Sequence, residues 1–311
     1  MIAPGARPSP DLEALEDAVT DALDRRAEGD LHVLGHGEIA VVVAWPPAQP
    51  RWACKRLPPF PSAEARDRHA RLIERYVDDL RAAGVDVVDT QVRCFDRPDG
   101  AAIAYAVQPI LPAATLGARV LREADPSPDH PLLDAVVSAV VGVTSDVLGL
   151  DAQITNWAWT DGRARYLDVT TPFLYTPDGR VEMDLEPFLS AGPAILRPYY
   201  RRDVPRLVLR WRRDPRPALV DFAGNLFKDR LDDWVPAACE RINREVAESV
   251  TVGELVRFYD REVRLWPYYL RMKKADRWWR RNVRRTRYEF VLPERTDYDP
   301  ASWKQRRKRW T

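Results

Sequence analysis

The order of periodicities along this chain most limits what it can fold into: β-rich runs surround one long helical run, and helical periodicity dominates afterwards. Pro10 to Ala27 carries Leu12, Leu15, Val19 and Leu23 at spacings of three and four, the pattern of an amphipathic helix. Leu31 to Trp45 holds two β-rich runs divided by Gly35-His36-Gly37, and Trp52 to Leu57 is a third strand between prolines. Ser62 to Ala83 predicts a helix, with Ser62 as its cap, Glu64 in its first turn and Gly84 beyond its end. Asp86 to Asp96 and Ala101 to Val107 predict two more strands around a turn at Arg97-Pro98-Asp99-Gly100. Strands, a helix, then strands make a five-stranded antiparallel unit with one helix, so the fold class is α+β.

Pro109 to Ala114 is the first linker candidate. Beyond it, Leu116–Ala124, Pro131–Leu148, Asp184–Leu189, Pro193–Leu209, Arg216–Arg230, Val235–Ala247 and Thr251–Met272 read as helical. A hairpin from Asn156 to Asp168, with Thr160-Asp161-Gly162 at its turn, interrupts them. The organisation expected is residues 1–108 with the N-terminal helix and glycine turn, 109–270 with the hairpin, and a basic aromatic extension at 271–311.

No stretch approaches the roughly 18 uncharged apolar residues of a membrane span, and Met1 to Asp11 lacks the charged-then-apolar pattern of a secretory signal. Cys54, Cys94 and Cys239 are too few and too scattered for a disulfide framework or a zinc site, which fits reduced thiols in the cytoplasm. His32, His36, His69 and His130 have no metal-type spacing. The near-zero net charge conceals an asymmetry: residues 271–311 hold 15 Lys/Arg and 5 Asp/Glu, net +10, against 33 and 42 in the remainder, net −9.

Several residues, taken in order, suit phosphoryl transfer, which needs positioning and charge neutralisation more than covalent chemistry. Gly35 and Gly37 lie between two strands, where backbone can approach an anion without a Cβ in the way; the same spacing serves a plain hairpin turn. Lys55 stands on the next strand, flanked by Cys54 and Leu57, either as an anion-binding group or as a snorkelling edge lysine. Glu74 lies on the predicted helix and can pair with Lys55, with Glu64 as a competitor. Asp151 and Asn156 are five apart, and Asp168 ends the hairpin that folds back towards Asn156. An Asp can orient or deprotonate a hydroxyl, and an Asn carbonyl with a second Asp can bind Mg²⁺ through oxygen; Asp151 can equally be a turn residue after Leu148-Gly149-Leu150.

Jointly, and in this order, these residues resemble the protein-kinase-like superfamily, nearest its aminoglycoside and choline phosphotransferase branch, over Leu31 to Phe173. The resemblance implies a bilobal fold, with a small five-stranded N-lobe and a larger, mostly helical C-lobe, binding ATP and Mg²⁺. It implies Lys55 paired with Glu74, Asp151 as catalytic base, and Asn156 and Asp168 as metal ligands. Val107-Gln108-Pro109-Ile110-Leu111 takes the place of the interlobe hinge, so Gln108 and Ile110 would meet adenine. The acceptor implied is a hydroxyl of a small molecule or natural product. Departures are Gly149-Leu150 before Asp151, Gln153 where protein kinases place a lysine, and Val169-Thr170 after Asp168. They argue against a Ser/Thr/Tyr protein kinase and keep a catalytically inactive nucleotide- or partner-binding module as the alternative.

Past Asp168 the resemblance fades. Arg201, Arg202, Arg206, Arg210, Arg212 and Arg213 suit an anionic acceptor or a solvated helix face. The tail interleaves arginine with tryptophan, at Arg277-Trp278-Trp279-Arg280 and Trp303 to Trp310. That composition suits nucleic acid (an RNA or peptide acceptor recruited by the tail), an anionic surface, or packing against the acidic remainder.

Overall fold

The computed structural model describes residues 10–37, 39–193 and 196–310. Residues 1–9, which carry most of the N-terminal reading, lie outside these, as do Ala194 and Ile195 at the start of the expected Pro193–Leu209 helix. Helix α1 (Leu12–Arg25) starts where the Asp11 carboxylate accepts from Ala14 N at 3.0 Å. Its apolar stripe (Leu12, Leu15, Val19, Leu23) covers one face of a five-stranded antiparallel sheet. The strands are β1 (Val33–His36), β2 (Val41–Trp45) and β3 (Trp52–Arg56), then, after a helix and a short strand, β5 (Gln91–Asp96) and β6 (Ala102–Pro109). Their spatial order is β1-β2-β3-β6-β5.

Between β3 and β5 runs α2 (Ala63–Ala82), capped by Ser62 Oγ on Ala65 N at 3.2 Å. Gly84 ends it at φ +89°, in the left-handed region that favours glycine. The expected strand from Asp86 to Asp96 is divided in two. Its first piece, β4 (Asp86–Val87), leaves the main sheet and pairs in parallel with β8 (Arg163–Tyr166). β8 is the second strand of a hairpin with β7 (Trp157–Thr160). Asp161 and Gly162 both have positive φ at the turn, as a two-residue Asp-Gly hairpin demands. One segment, residues 86–96, therefore contributes to both sheets and fixes the hairpin beneath the larger one.

The remaining helices are α3 (Gly117–Glu123), α4 (Pro131–Val143), α5 (Glu186–Ala191), α6 (Arg197–Leu209), α7 (Arg216–Asn225), α8 (Val235–Asn243), α9 (Val252–Trp279) and α10 (Pro300–Arg306). A continuous apolar cluster joins Ile73, Tyr76 and Leu80 of α2 to α4, the hairpin, and α7 to α9. The core therefore crosses the expected boundary at residue 108, and the expected boundary at 270 falls inside α9. From the end of α9 the chain turns back along the α1 face of the sheet, where Glu289 meets Arg56 and Arg97. It then descends to the helices, where Trp303 is buried against Phe227 and Tyr259.

Candidate functional site

Alternation along β3 turns Cys54 and Arg56 towards α1 and Lys55 to the opposite face. There Lys55 Nζ lies 2.7 Å from Asp168 Oδ1, a residue 113 positions further along, with 17% and 27% of the two side chains exposed. Thr170 donates to the same oxygen through its N–H (3.2 Å) and its hydroxyl (2.8 Å). Burial alone would raise the Asp168 carboxyl, but the Lys55 charge and these hydrogen bonds hold it below the usual carboxylate range. Leu167 N donates to Asn156 O at 2.8 Å, closing the base of the hairpin and bringing Asn156 beside Asp168.

Asp151 begins the turn leading into the hairpin, its Oδ1 accepting from Gln153 N at 3.1 Å. Asn156 Nδ2 donates to Asp151 O at 3.4 Å, which leaves the Asn156 amide oxygen available as a ligand. Burial first, then the Asp168 charge, raises Asp151, partly offset by Gln153 N–H and by Lys228. The two carboxyls are thus pushed in opposite directions, the pattern that separates a proton acceptor from a permanently charged ligand. Tyr76 OH donates to Gly149 O at 2.9 Å, tying α2 to the segment leading into Asp151. Gly149 has a packing reason: a Cβ there would lie 3.1 Å from Tyr175 Oη.

Two expectations are corrected. Glu74 does not pair with Lys55: it is exposed, because the inward face of α2 is formed by His69, Ile73, Tyr76 and Leu80, and Glu74 is one helical step away. Glu64 is exposed at the helix start as well. Besides Tyr76, His69 of α2 reaches the site, its Nε2 lying 3.3 Å from Thr170 O; burial pushes it down to about 4, so it is neutral at pH 7. Ile110 does not offer a free N–H, since that group donates to Arg51 O at 3.0 Å and extends the β3–β6 ladder. Gln108 instead sends its side chain across the fold, donating to Leu167 O at 2.7 Å and Thr90 Oγ1 at 2.8 Å, and so supports the residue before Asp168.

Gly35 pairs with Val42, and Gly37 N donates to Ala40 O at 2.8 Å, closing the β1–β2 turn. Neither takes a positive φ. At Gly35 a Cβ would meet open space, so what the residue contributes is an uncluttered backbone.

The sequence reading missed a second charged layer. Lys228, past the end of α7, donates to Gln153 Oε1 at 2.6 Å with 11% of its side chain exposed. Asp221 of α7 is raised by burial, then by the Asp151 charge, while Lys228 opposes both. Asn225 donates to the Asp221 carboxylate at 3.1 Å and accepts from Tyr298 OH at 3.1 Å. Beside this layer opens a cavity of about 830 Å³, lined by Thr155, Lys228, Asp229, Arg271, Lys274 and Tyr298 among others. Among the described residues no group of three or more His, Cys, Asp or Glu side chains is arranged to hold a metal ion.

Most of the tail is turned inward. Arg281 pairs with Glu28 (2.5 Å), Arg287 with Asp24 (2.5 Å), Arg307 with Asp260 (2.9 Å), and Arg306 with Asp232. No described helix is long and apolar enough to cross a membrane.

Fold and site together define an α+β protein with a charged recess where a five-stranded antiparallel sheet meets a helical half. Residues 14–277 match the model of a family of unknown function, DUF6206, and the chain belongs to that family. No curated protein matches the chain.

Proposed function

We propose that this chain is a kinase-like phosphotransferase that uses ATP and Mg²⁺ to modify a hydroxyl of a small-molecule acceptor. The observation that carries this reading is the meeting of Lys55 and Asp168 at 2.7 Å, with Asn156 drawn alongside by the closed base of the hairpin. The strand order β1-β2-β3-β6-β5, with α2 between β3 and β5, supports reading the fold as bilobal and kinase-like.

The donor set fits the group. Asp168 stays ionised and Asn156 presents a neutral oxygen, both hard ligands of the kind Mg²⁺ takes. Lys55 supplies a compact positive charge for phosphate oxygens. Mg-ATP, when bound, supplies the phosphoryl group and the counter-charge. Asp151 would orient the acceptor hydroxyl and take its proton onto the carboxylate, a role that its raised affinity for protons suits. Lys228, held by Gln153, brings a cation to the place where protein kinases carry a lysine two residues past the base. The cavity beside Lys228 and Thr155 is the space for the acceptor.

A second reading, a nucleotide- or partner-binding module without catalysis, is favoured by one observation: Lys55 engages Asp168 directly and Glu74 does not restrain it. Calorimetric titration with ATP separates these readings from no site at all. Wild type is expected to bind ATP with Mg²⁺ and to weaken when the metal is chelated. Asp168→Asn should lose about tenfold or more in affinity, near 1.4 kcal/mol, while Glu74→Gln leaves it unchanged. An Asp168→Asn protein that binds as wild type does would refute the assignment; binding without phosphate transfer to any acceptor would favour the module.

A further inference from the structure

The α9 helix carries a surface that the proposed reaction does not use. Its inner side, with Leu255, Val256, Tyr259 and Val263, is buried against the helical half. The opposite side exposes Leu265 (60%), Tyr268 (58%) and Trp279 (51%), continuing to Val283 (47%) in the turn of π-helix that follows. Met272 falls in the same line. At about 1.5 Å per residue the stripe runs roughly 27 Å.

Arg261, Arg264 and Arg271 are exposed on or beside this stripe, and Arg284 and Arg285 stand at its end. None of the five has an acidic partner among the described residues, in contrast to Arg277, Arg280 and Arg281 on the inner side, which pair with Glu28 or Asp276. No exposed position from Arg261 to Thr286 is acidic.

We infer that this face of α9 docks on an anionic lipid bilayer. The chemistry fits at each level. Leu, Val and Trp side chains in line on a helix surface sink shallowly between headgroups, and flanking arginines meet lipid phosphates. A nucleic acid would engage the arginines but leave Leu265 and Val283 without a role. A second copy of the chain would set arginines against arginines across a two-fold axis, with no acid on the face to relieve them. Membrane contact here is a matter of surface docking and is compatible with the absence of a spanning helix. The inference stands independently of the phosphotransferase reading: of the residues on this face only Arg271 also lines the cavity beside Lys228, and none of the four positions substituted below does.

The test is co-sedimentation of the full chain with vesicles of phosphatidylcholine alone, or with about 30% phosphatidylglycerol, at about 0.05 M and about 0.5 M NaCl. Binding is expected only to the anionic vesicles and only at low salt. Arg261→Glu with Arg264→Glu should reduce it by about tenfold or more, and Leu265→Asn with Trp279→Asn should do the same through the apolar component. All four positions are exposed, and an unchanged thermal melt verifies that each variant is folded. The inference is overturned if the chain pellets with neither vesicle, or if folded variants bind as wild type does. It is overturned too if the same substitutions abolish self-association or duplex RNA binding in a chain that ignores vesicles.

Discussion

Glu16 and Arg56 are 1% and 3% exposed and hold each other through two hydrogen bonds of 2.8 Å, with Arg97, Glu289 and Tyr105 completing the network. A buried pair of this kind is costly to break from one side, because the surviving charge stays desolvated. Glu16→Ala should therefore lower unfolding free energy by about 3–5 kcal/mol in urea titrations. Burial would raise the Glu16 carboxyl, but the Arg56 hydrogen bond and charge hold it below its ordinary value of 4.5. The unfolded chain then takes up the proton first on acidification, so this stabilisation is present above pH 4.5 and lost as pH falls through the lower folded value. Glu16→Gln should flatten that part of the stability–pH curve. Residue types and their order alone singled out Lys55, Asp151, Asn156 and Asp168 as candidates, and the fold brings Lys55 onto Asp168. Glu74 was misread because its distance from Lys55 was counted without its phase on α2, whose buried side runs through His69, Ile73 and Tyr76. Lys228 and Asp221 had no local signal: each lies 70 or more residues beyond Asp151, and only the fold joins them.

At the scale of elements, the hairpin was readable to its turn, since Asp161-Gly162 dictates positive φ at two successive residues. The division of the Asp86–Asp96 strand was not, because both pieces are β-rich and the change of partner depends on Tyr166, whose carbonyl accepts from Val88 N at 3.0 Å. The expected Pro131–Leu148 helix ends instead at Val143, where Thr144 hydroxyl bonds back to Val140 O at 2.7 Å and Ser145 caps the following turn. The placement of Asn156 depends on a close approach between elements. Gly117 opens α3 so near the loop before β7 that a Cβ would lie 2.6 Å from Ile154 O, a backbone atom with little room to move. Gly117→Ala should cost about 1–3 kcal/mol in stability and weaken Mg-dependent ATP binding in the protein that remains folded. A variant as stable as wild type in urea would show that the loop yields, and that Asn156 is not held by this contact.

On the scale of the whole molecule, the opposite net charges of tail and remainder become a strap. It rises with α9, returns over α1 and the sheet, and ends against the helices through Trp303. Exposed ion pairs along it contribute about 0–1 kcal/mol each; the buried Tyr288 and Trp303 anchor it. The strap passes the glycine turn, where Val291 lies beside His36, and Tyr298 closes over Asn225 beside the candidate acceptor cavity. Composition showed that the tail differs from the rest, but not what it touches, since arginine and tryptophan suit protein, lipid and nucleic acid alike. Whether the recess so enclosed is an Mg-ATP site is decided most directly by a crystal structure of the full chain with a non-hydrolysable ATP analogue and Mg²⁺. The proposed function predicts phosphate density at Lys55, a metal ligated by Asn156 and Asp168, and Asp151 facing the γ-phosphate side. Nucleotide absent from the recess, or bound with Asp168 touching no metal, would contradict it.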